Sequence, residues 1–214
     1  MKSKSELTES YSDYLLEHGE RPKTVHHFAH TLNIEEAEFY KYFAGFPAIE
    51  SSIFESFFEN ALSLTLKEKE AGLDVHNELL TFYFTFFEVL KSNRSLVLIL
   101  LKKRPLILNR KALSGLRDAF LQYIQSMNLP LGLLDKIERK ELDKIKEKGK
   151  GEAAWLQLMS FLDFWLHDDS PSFEKTDAFI EKSVKVGFSL VQNPLFEELF
   201  DLGKFFIKER LKAF

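Results

Sequence analysis

Residues 19–43 read GERPKTVHHFAHTLNIEEAEFYKYF, from Gly19 to Phe43, and the punctuation of this stretch decides how the rest of the chain is understood. Before it, Tyr11, Tyr14 and Leu15 recur at helical spacing and stop at His18-Gly19, where glycine can take the left-handed cap conformation. Pro22 is tolerated in the first turn of the next helix, and Val25, Phe28, Ala29 and Leu32 form that helix's apolar stripe. Asn33 ends it and accepts the left-handed backbone of a tight turn. Ile34 through Phe43 then predicts a third short helix with Ile34, Phe39, Tyr42 and Phe43 turned inward.

Outward from this stretch, the pattern stays helical. Pro47 to Lys69 predicts a long amphipathic helix with Ile49, Ile53, Phe54, Phe57, Phe58, Ala61 and Leu62 on its buried side. A helix starting at Asp74 carries Thr81-Phe82-Tyr83-Phe84-Thr85-Phe86-Phe87, apolar on more than one face, and is therefore expected at the centre of the body. Ser95–Lys103 and Pro105–Met127 predict two more helices, separated at Arg104-Pro105 and closed by Asn128-Leu129-Pro130. Leu131–Lys148 continues as a charged helix, with Gly149-Lys150-Gly151 expected as an exposed loop after it. Glu152–His167 and Phe173–Val191 form a helical pair around Asp168-Asp169-Ser170-Pro171, and Pro194 opens a last amphipathic helix.

The totals agree with an all-α chain. Twenty-two Phe stand against nine Gly and six Pro in 214 residues, so there are many large rings to bury and few chain breakers. Without Cys, neither disulfides nor thiolate metal sites are available. The opening MKSKSELTES lacks the apolar stretch of a secretory leader, and Leu96–Leu101 is far shorter than the roughly 20 residues that span a bilayer. The expectation is a cytoplasmic protein. Residues 1–60 carry five basic and eleven acidic side chains, a net of −6, which leaves +2 for the remainder of a chain with net charge −4. Phosphate neutralisation by Lys and Arg normally supplies non-specific DNA affinity, so the sign of this segment opposes such a partner.

Gly19, Thr24-Val25, Phe28-Ala29, Asn33-Ile34 and above all Phe39-Tyr40-Lys41-Tyr42-Phe43 resemble the helix-turn-helix signature of TetR-family transcriptional regulators. That resemblance implies a three-helix head over 1–46, a helical ligand-binding and dimerisation body over 47–214, and a third helix that enters the major groove. It also implies DNA contacts from Lys23, Thr24, Glu38, Tyr40 and Lys41. Glu38 stands where the family places a phosphate-contacting Thr or Ser, and Glu35, Glu36 and Glu38 at a helix start favour the helix dipole instead. A second segment, Phe164–Pro171 with Thr176-Asp177-Ala178-Phe179-Ile180, is similar to the lipid-binding accessory proteins of ubiquinone biosynthesis. Those proteins share the fold and hold an isoprenoid lipid, so the alternative implied is a lipid carrier that does not bind DNA.

In the body, Phe82, Phe86, Phe87, Trp155, Met159, Phe161 and Trp165 are the candidate ligand-contacting side chains, for an apolar, long-chain or aromatic molecule. Large rings rarely tile an interior without gaps, although most such rings serve as ordinary core. His26 and His30 have the i, i+4 spacing of a metal pair, but no third ligand is fixed by spacing, and a solvated helix face accounts for them. No cofactor is implied. Lys102-Lys103-Arg104 with Arg110, Lys111 and Arg117 forms a second basic patch, read as solvated surface with anionic lipid as the sharper alternative. The helix from Pro194 is suited to docking on the body, to a dimer or to peripheral membrane contact. No phosphate loop, nucleophile elbow or isolated carboxylate pair is present, so an enzyme is not expected. A homodimer is expected through a four-helix interface of 152–167 and 173–191.

Overall fold

A computed structural model describes residues 2–69, 72–101, 105–129 and 140–192. Nine α-helices and no strand occur among them: α1 Lys4–His18, α2 Val25–Thr31, α3 Glu36–Tyr40, α4 Phe46–Lys69, α5 Val75–Ser92, α6 Arg94–Leu101, α7 Ser114–Ser126, α8 Lys140–His167 and α9 Glu174–Gln192. The expected all-α architecture is found. The parts of the sequence reading that fall on 102–104, 130–139 and the helix from Pro194 lie outside the described residues.

Each helix of the head begins or ends as its residues dictate. Ser3 caps α1 through a reciprocal pair with Glu6, and Gly19 closes it at φ 69° with its amide on the Leu15 carbonyl. Thr24 accepts from the His27 amide at 3.0 Å to start α2, and Asn33 turns the chain at φ 53°. The third helix is shorter than its apolar spacing predicts, covering Glu36–Tyr40 and not Ile34–Phe43, because Lys41 and Tyr42 leave the helix as a turn. Phe39 and Phe43 still both reach the core.

The body is layered around α5, which packs against α4 on one side and α9 on the other, while α7 lies between α4 and α8. Seven of the eight buried side chains of α5 are apolar, among them Phe82, Tyr83, Phe86 and Phe87, as its two-faced sequence predicts. Two expectations are corrected here. The segment 105–127 is not one helix: a 3-10 turn over Leu106–Asn109 precedes α7, and the Asn109 amide donates to the Leu101 carbonyl at 3.3 Å. A side chain that satisfies the end of α6 competes with continuous helix. Gly149-Lys150-Gly151 is not an exposed loop but an internal turn of α8. Gly151 is buried, and a Cβ there would lie 3.0 Å from Leu121 Cδ2, so the missing side chain lets α8 close on α7. Packing overrides the local preference of glycine.

The turn between α8 and α9 is held by one carboxylate. Asp168 is 6% exposed and accepts from the amide and hydroxyl of Ser170 (2.9 and 2.7 Å) and of Thr176 (3.0 and 2.6 Å). Beside it the Arg94 guanidinium lies between the rings of Trp165 and Phe173, 4.4 and 4.2 Å from their centroids, and donates to the Trp165 and Asp168 carbonyls. Burial opposes the charge on Asp168, but the hydrogen bonds from Thr176 and Ser170 outweigh it and hold the carboxyl at about 2. A depressed folded-state pKa stabilises the fold above the ordinary carboxylate range, and that contribution disappears as pH falls towards 2. Asp168→Ala, which leaves the buried Thr176 amide without its acceptor, is expected to cost about 2–3 kcal/mol. In thermal unfolding the gap between variant and parent should narrow below pH 4; a gap constant from pH 7 to 2.5 would contradict the ionised cap.

Candidate functional site

The head is an aromatic box with a polar outer face. Tyr11 stacks on Phe46 at 5.3 Å and meets Phe28 edge-on at 5.5 Å, while Phe39 packs edge-on against Phe28 and Phe46 at 6.1 and 6.0 Å. Each such pair adds about 0.5–1.5 kcal/mol beyond its buried area. The consequence falls on α3. Because Phe39 and Phe43 are drawn inward, Tyr40 and Tyr42 are turned out, 52% and 38% exposed, with Lys41 exposed between them.

Among the five residues expected at DNA, Lys23 and Thr24 lie exposed at the start of α2, and Tyr40 and Lys41 at the end of α3. Glu38 is only half-exposed, and its carboxylate accepts from the Lys2 amide, which brings the N-terminal segment alongside α3. His26, His27 and His30 are exposed on α2, and no cluster of three metal-ligating side chains occurs among the described residues.

Sequence reasoning missed the joint between head and body. Glu50 on α4 is fully buried and receives Tyr11 Oη at 2.8 Å, Arg21 Nε at 2.5 Å and Arg21 Nη2 at 2.6 Å. One carboxylate thus ties α1, the α1–α2 link and α4 together through a bidentate pair. Burial, followed by the Glu50 charge, drives the Tyr11 hydroxyl far above its ordinary pKa, so it stays a donor. The available signal was a charged residue between Ile49 and Ile53 on an apolar stripe.

In the body, Phe82, Phe86 and Phe161 are fully buried, Phe87 and Trp165 nearly so, and Trp155 and Met159 half-buried. Phe82 stacks on Phe86 at 5.9 Å, Phe87 meets Trp165 at 6.0 Å, and Trp155 reaches Phe120 at 6.3 Å. The indole N–H of Trp165 is buried and has no acceptor among the described residues. Three clefts formed by described residues have other linings. One of about 440 Å³ between α4, α5 and α7 has Phe58, Leu62 and Tyr123 with Glu55, Glu59 and Glu78. Another of about 390 Å³ lies at the α8–α9 turn around Phe164 and Asp168. A third of about 460 Å³ lies where the head joins the body, between Ala44–Ala48 and Arg110, Lys111 and Ser114. Among the described residues no helix is long and apolar enough to cross a membrane.

Three short helices with an exposed third one, followed by a long helix that runs on into the remaining helices, give the arrangement of a helix-turn-helix protein. A family model described as "Tetracyclin repressor-like, C-terminal domain" matches residues 78–206, and the chain belongs to the TetR family of transcriptional regulators. Among solved structures it is similar to one assigned to the TetR-family transcriptional regulators, from Syntrophomonas wolfei, with TM-score 0.62 and 14% identity over 87% of this chain and 94% of that one. A second similar structure is the fatty acid degradation regulator FadR from Bacillus halodurans, with TM-score 0.50 and 16% identity over 89% of this chain and 98% of that one. At such identities these structures speak to the fold. No curated protein matches the sequence.

Removing Arg21 takes the bidentate donor pair away from the buried Glu50 carboxylate. Arg21→Ala is expected to cost roughly 2–3 kcal/mol, below the range for a fully enclosed pair because Arg21 is itself part-exposed. Urea unfolding monitored by Tyr and Trp fluorescence measures this, and a loss under about 0.5 kcal/mol would show that the pair does not hold the head.

Proposed function

We propose that this protein is a homodimeric, ligand-responsive regulator that presents α3 to the major groove and holds an apolar molecule in its body. The observation that carries the DNA part is the inside-out division of Phe39-Tyr40-Lys41-Tyr42-Phe43. Its two Phe rings fix α3 to the head core, and its Tyr-Lys-Tyr edge faces outward, towards the side a duplex would approach. Lys23, Thr24, Tyr40 and Lys41 supply phosphate contacts in this reading, and Glu38, engaged by the Lys2 amide, helps set the position of the N-terminal segment.

The ligand part is supported by Trp165. A buried N–H without an acceptor costs about 1–3 kcal/mol, and a ligand carrying a carbonyl or carboxyl oxygen would remove that cost. Phe87 and Phe173, whose rings lie 6.0 and 5.7 Å from it, suit an acyl or aromatic molecule. The dimer is supported by α8 and α9, where Leu156 is 68%, Phe164 39% and Val186 55% exposed on the two helices expected to pair. Exposed large apolar side chains on both of these helices suit a surface that a second copy covers.

Gel-shift titration with DNA from the region upstream of its own gene, together with native mass spectrometry of the purified protein, tests the proposal. Specific DNA binding that weakens steeply with salt, and an apolar adduct on a dimer, are expected. A protein that carries lipid but shifts no DNA would replace the regulator with the lipid-carrier reading. Trp165→Phe, which keeps an aromatic ring but loses the N–H, is expected to lower ligand occupancy about five- to tenfold, equivalent to one hydrogen bond.

A further inference from the structure

Arg110 and Lys111 belong to the basic patch that the sequence left as surface charge, and the fold places them beside the DNA-binding head. They line the junction cleft of about 460 Å³ together with Ala44, Gly45, Pro47 and Ala48, the residues that follow the exposed Tyr40-Lys41-Tyr42 edge. Their position is fixed by a close approach. The Gly115 amide donates to Ser51 Oγ at 2.7 Å, and Ser114 Oγ lies 3.0 Å from the same atom. A Cβ at Gly115 would sit 2.8 Å from the Ser51 backbone oxygen, so only glycine lets the start of α7 abut α4 this tightly. Both cations are exposed and form no ion pair among the described residues, whereas Arg117 of the same patch is paired with Glu152 at 2.5 Å.

We propose that Arg110 and Lys111 are a body-borne clamp on the DNA backbone, taking phosphates adjacent to those met by α3. The charge distribution favours a source of this kind: the head, residues 1–46, carries eight acidic against five basic side chains, a net of −3, with Glu35, Glu36 and Glu38 on or next to α3. Such a head repels the duplex unless cations elsewhere offset it. Two cations seated against the head's exit do so without lying in the helix-turn-helix itself. An anionic membrane is the weaker partner for this patch. Leu108, 65% exposed, is the one large apolar side chain the described residues place in this segment's exposed surface, and interfacial insertion needs an apolar face. The clamp also makes DNA affinity depend on how α7 sits against α4, so a change in the body is felt at the phosphates.

The inference rests on the DNA-binding reading above, and one experiment separates the two. Binding of the full-length protein to a fluorescently labelled mixed-sequence duplex is measured by anisotropy across a series of KCl concentrations. Arg110→Gln/Lys111→Gln should flatten the plot of log affinity against log salt by about 1.8 per protomer, about 0.9 for each phosphate no longer neutralised. Arg110→Glu/Lys111→Glu should weaken binding further, and Lys67→Gln/Lys148→Gln, exposed cations near the end of α4 and in the first half of α8, should leave the slope as it is. Thermal unfolding of each variant reads folding separately. If the parent binds DNA and the Gln pair leaves its slope unchanged, the clamp is wrong and the regulator stands. If the parent binds no duplex even at low salt, both fall. Vesicles of phosphatidylserine and phosphatidylcholine provide the other arm: binding abolished in the Gln pair while DNA binding is unaffected would assign the patch to a membrane and overturn the clamp.

Discussion

The bidentate pair between Arg21 and the buried carboxylate of Glu50, completed by the Tyr11 hydroxyl, fixes the orientation of the head on the rest of the molecule. A carboxylate withdrawn from water is tolerable only when its oxygens are taken up by donors in good geometry. Here donors to it come from α1 and from the link between α1 and α2, so both are drawn onto α4 by the same carboxylate. Apolar packing between Tyr11, Phe28, Phe39 and Phe46 supplies adhesion, but stacked and edge-on rings tolerate sliding. The ion pair supplies register.

Register matters because the surfaces proposed for function are split between head and body. The exposed edge of α3, the cations at 110–111 and the exposed apolar side chains of α8 and α9 belong to three parts of the chain, and α4 is the common spar. Its first half touches the head, its Ser51 meets the start of α7, and its Phe58 stands against Phe82 of α5 at 5.3 Å. The aromatic centre is thus joined to the head through packed side chains along α4. At the far end, Arg94 between Trp165 and Phe173, and Asp168 over the start of α9, lock the two helices whose outer faces carry Leu156, Phe164 and Val186.

The elements that were legible in the sequence are those fixed by short-range physics. Gly19 and Asn33 adopt the left-handed backbone their chemistry allows, and the two-faced apolar run of α5 lies at the centre; α2, however, begins at Val25 behind a Thr24 cap, with Pro22 ahead of the helix and not in its first turn. Elements depending on distant partners were read less well. Gly149-Lys150-Gly151 looks like a loop to any local rule, yet Gly151 is a packing position against Leu121. The continuous helix expected over 105–127 is broken by Asn109, whose amide turns back to the Leu101 carbonyl. Glu50, which the sequence shows only as one more acidic residue of 1–60, is fully buried on α4, where Arg21, 29 residues earlier, comes to meet it.

By itself, then, the sequence determined an all-α chain, the order of its helices, the aromatic content of its body and the family its 19–43 segment resembles. These follow from backbone preferences and apolar periodicity, which act over a few residues. Tertiary structure alone decided which charges are buried and paired, which glycines are packing positions, and that two cations of the body stand next to an acidic head. Such facts depend on residues tens of positions apart meeting in space, and the energy of a charge is set by what surrounds it, not by its neighbours in the chain.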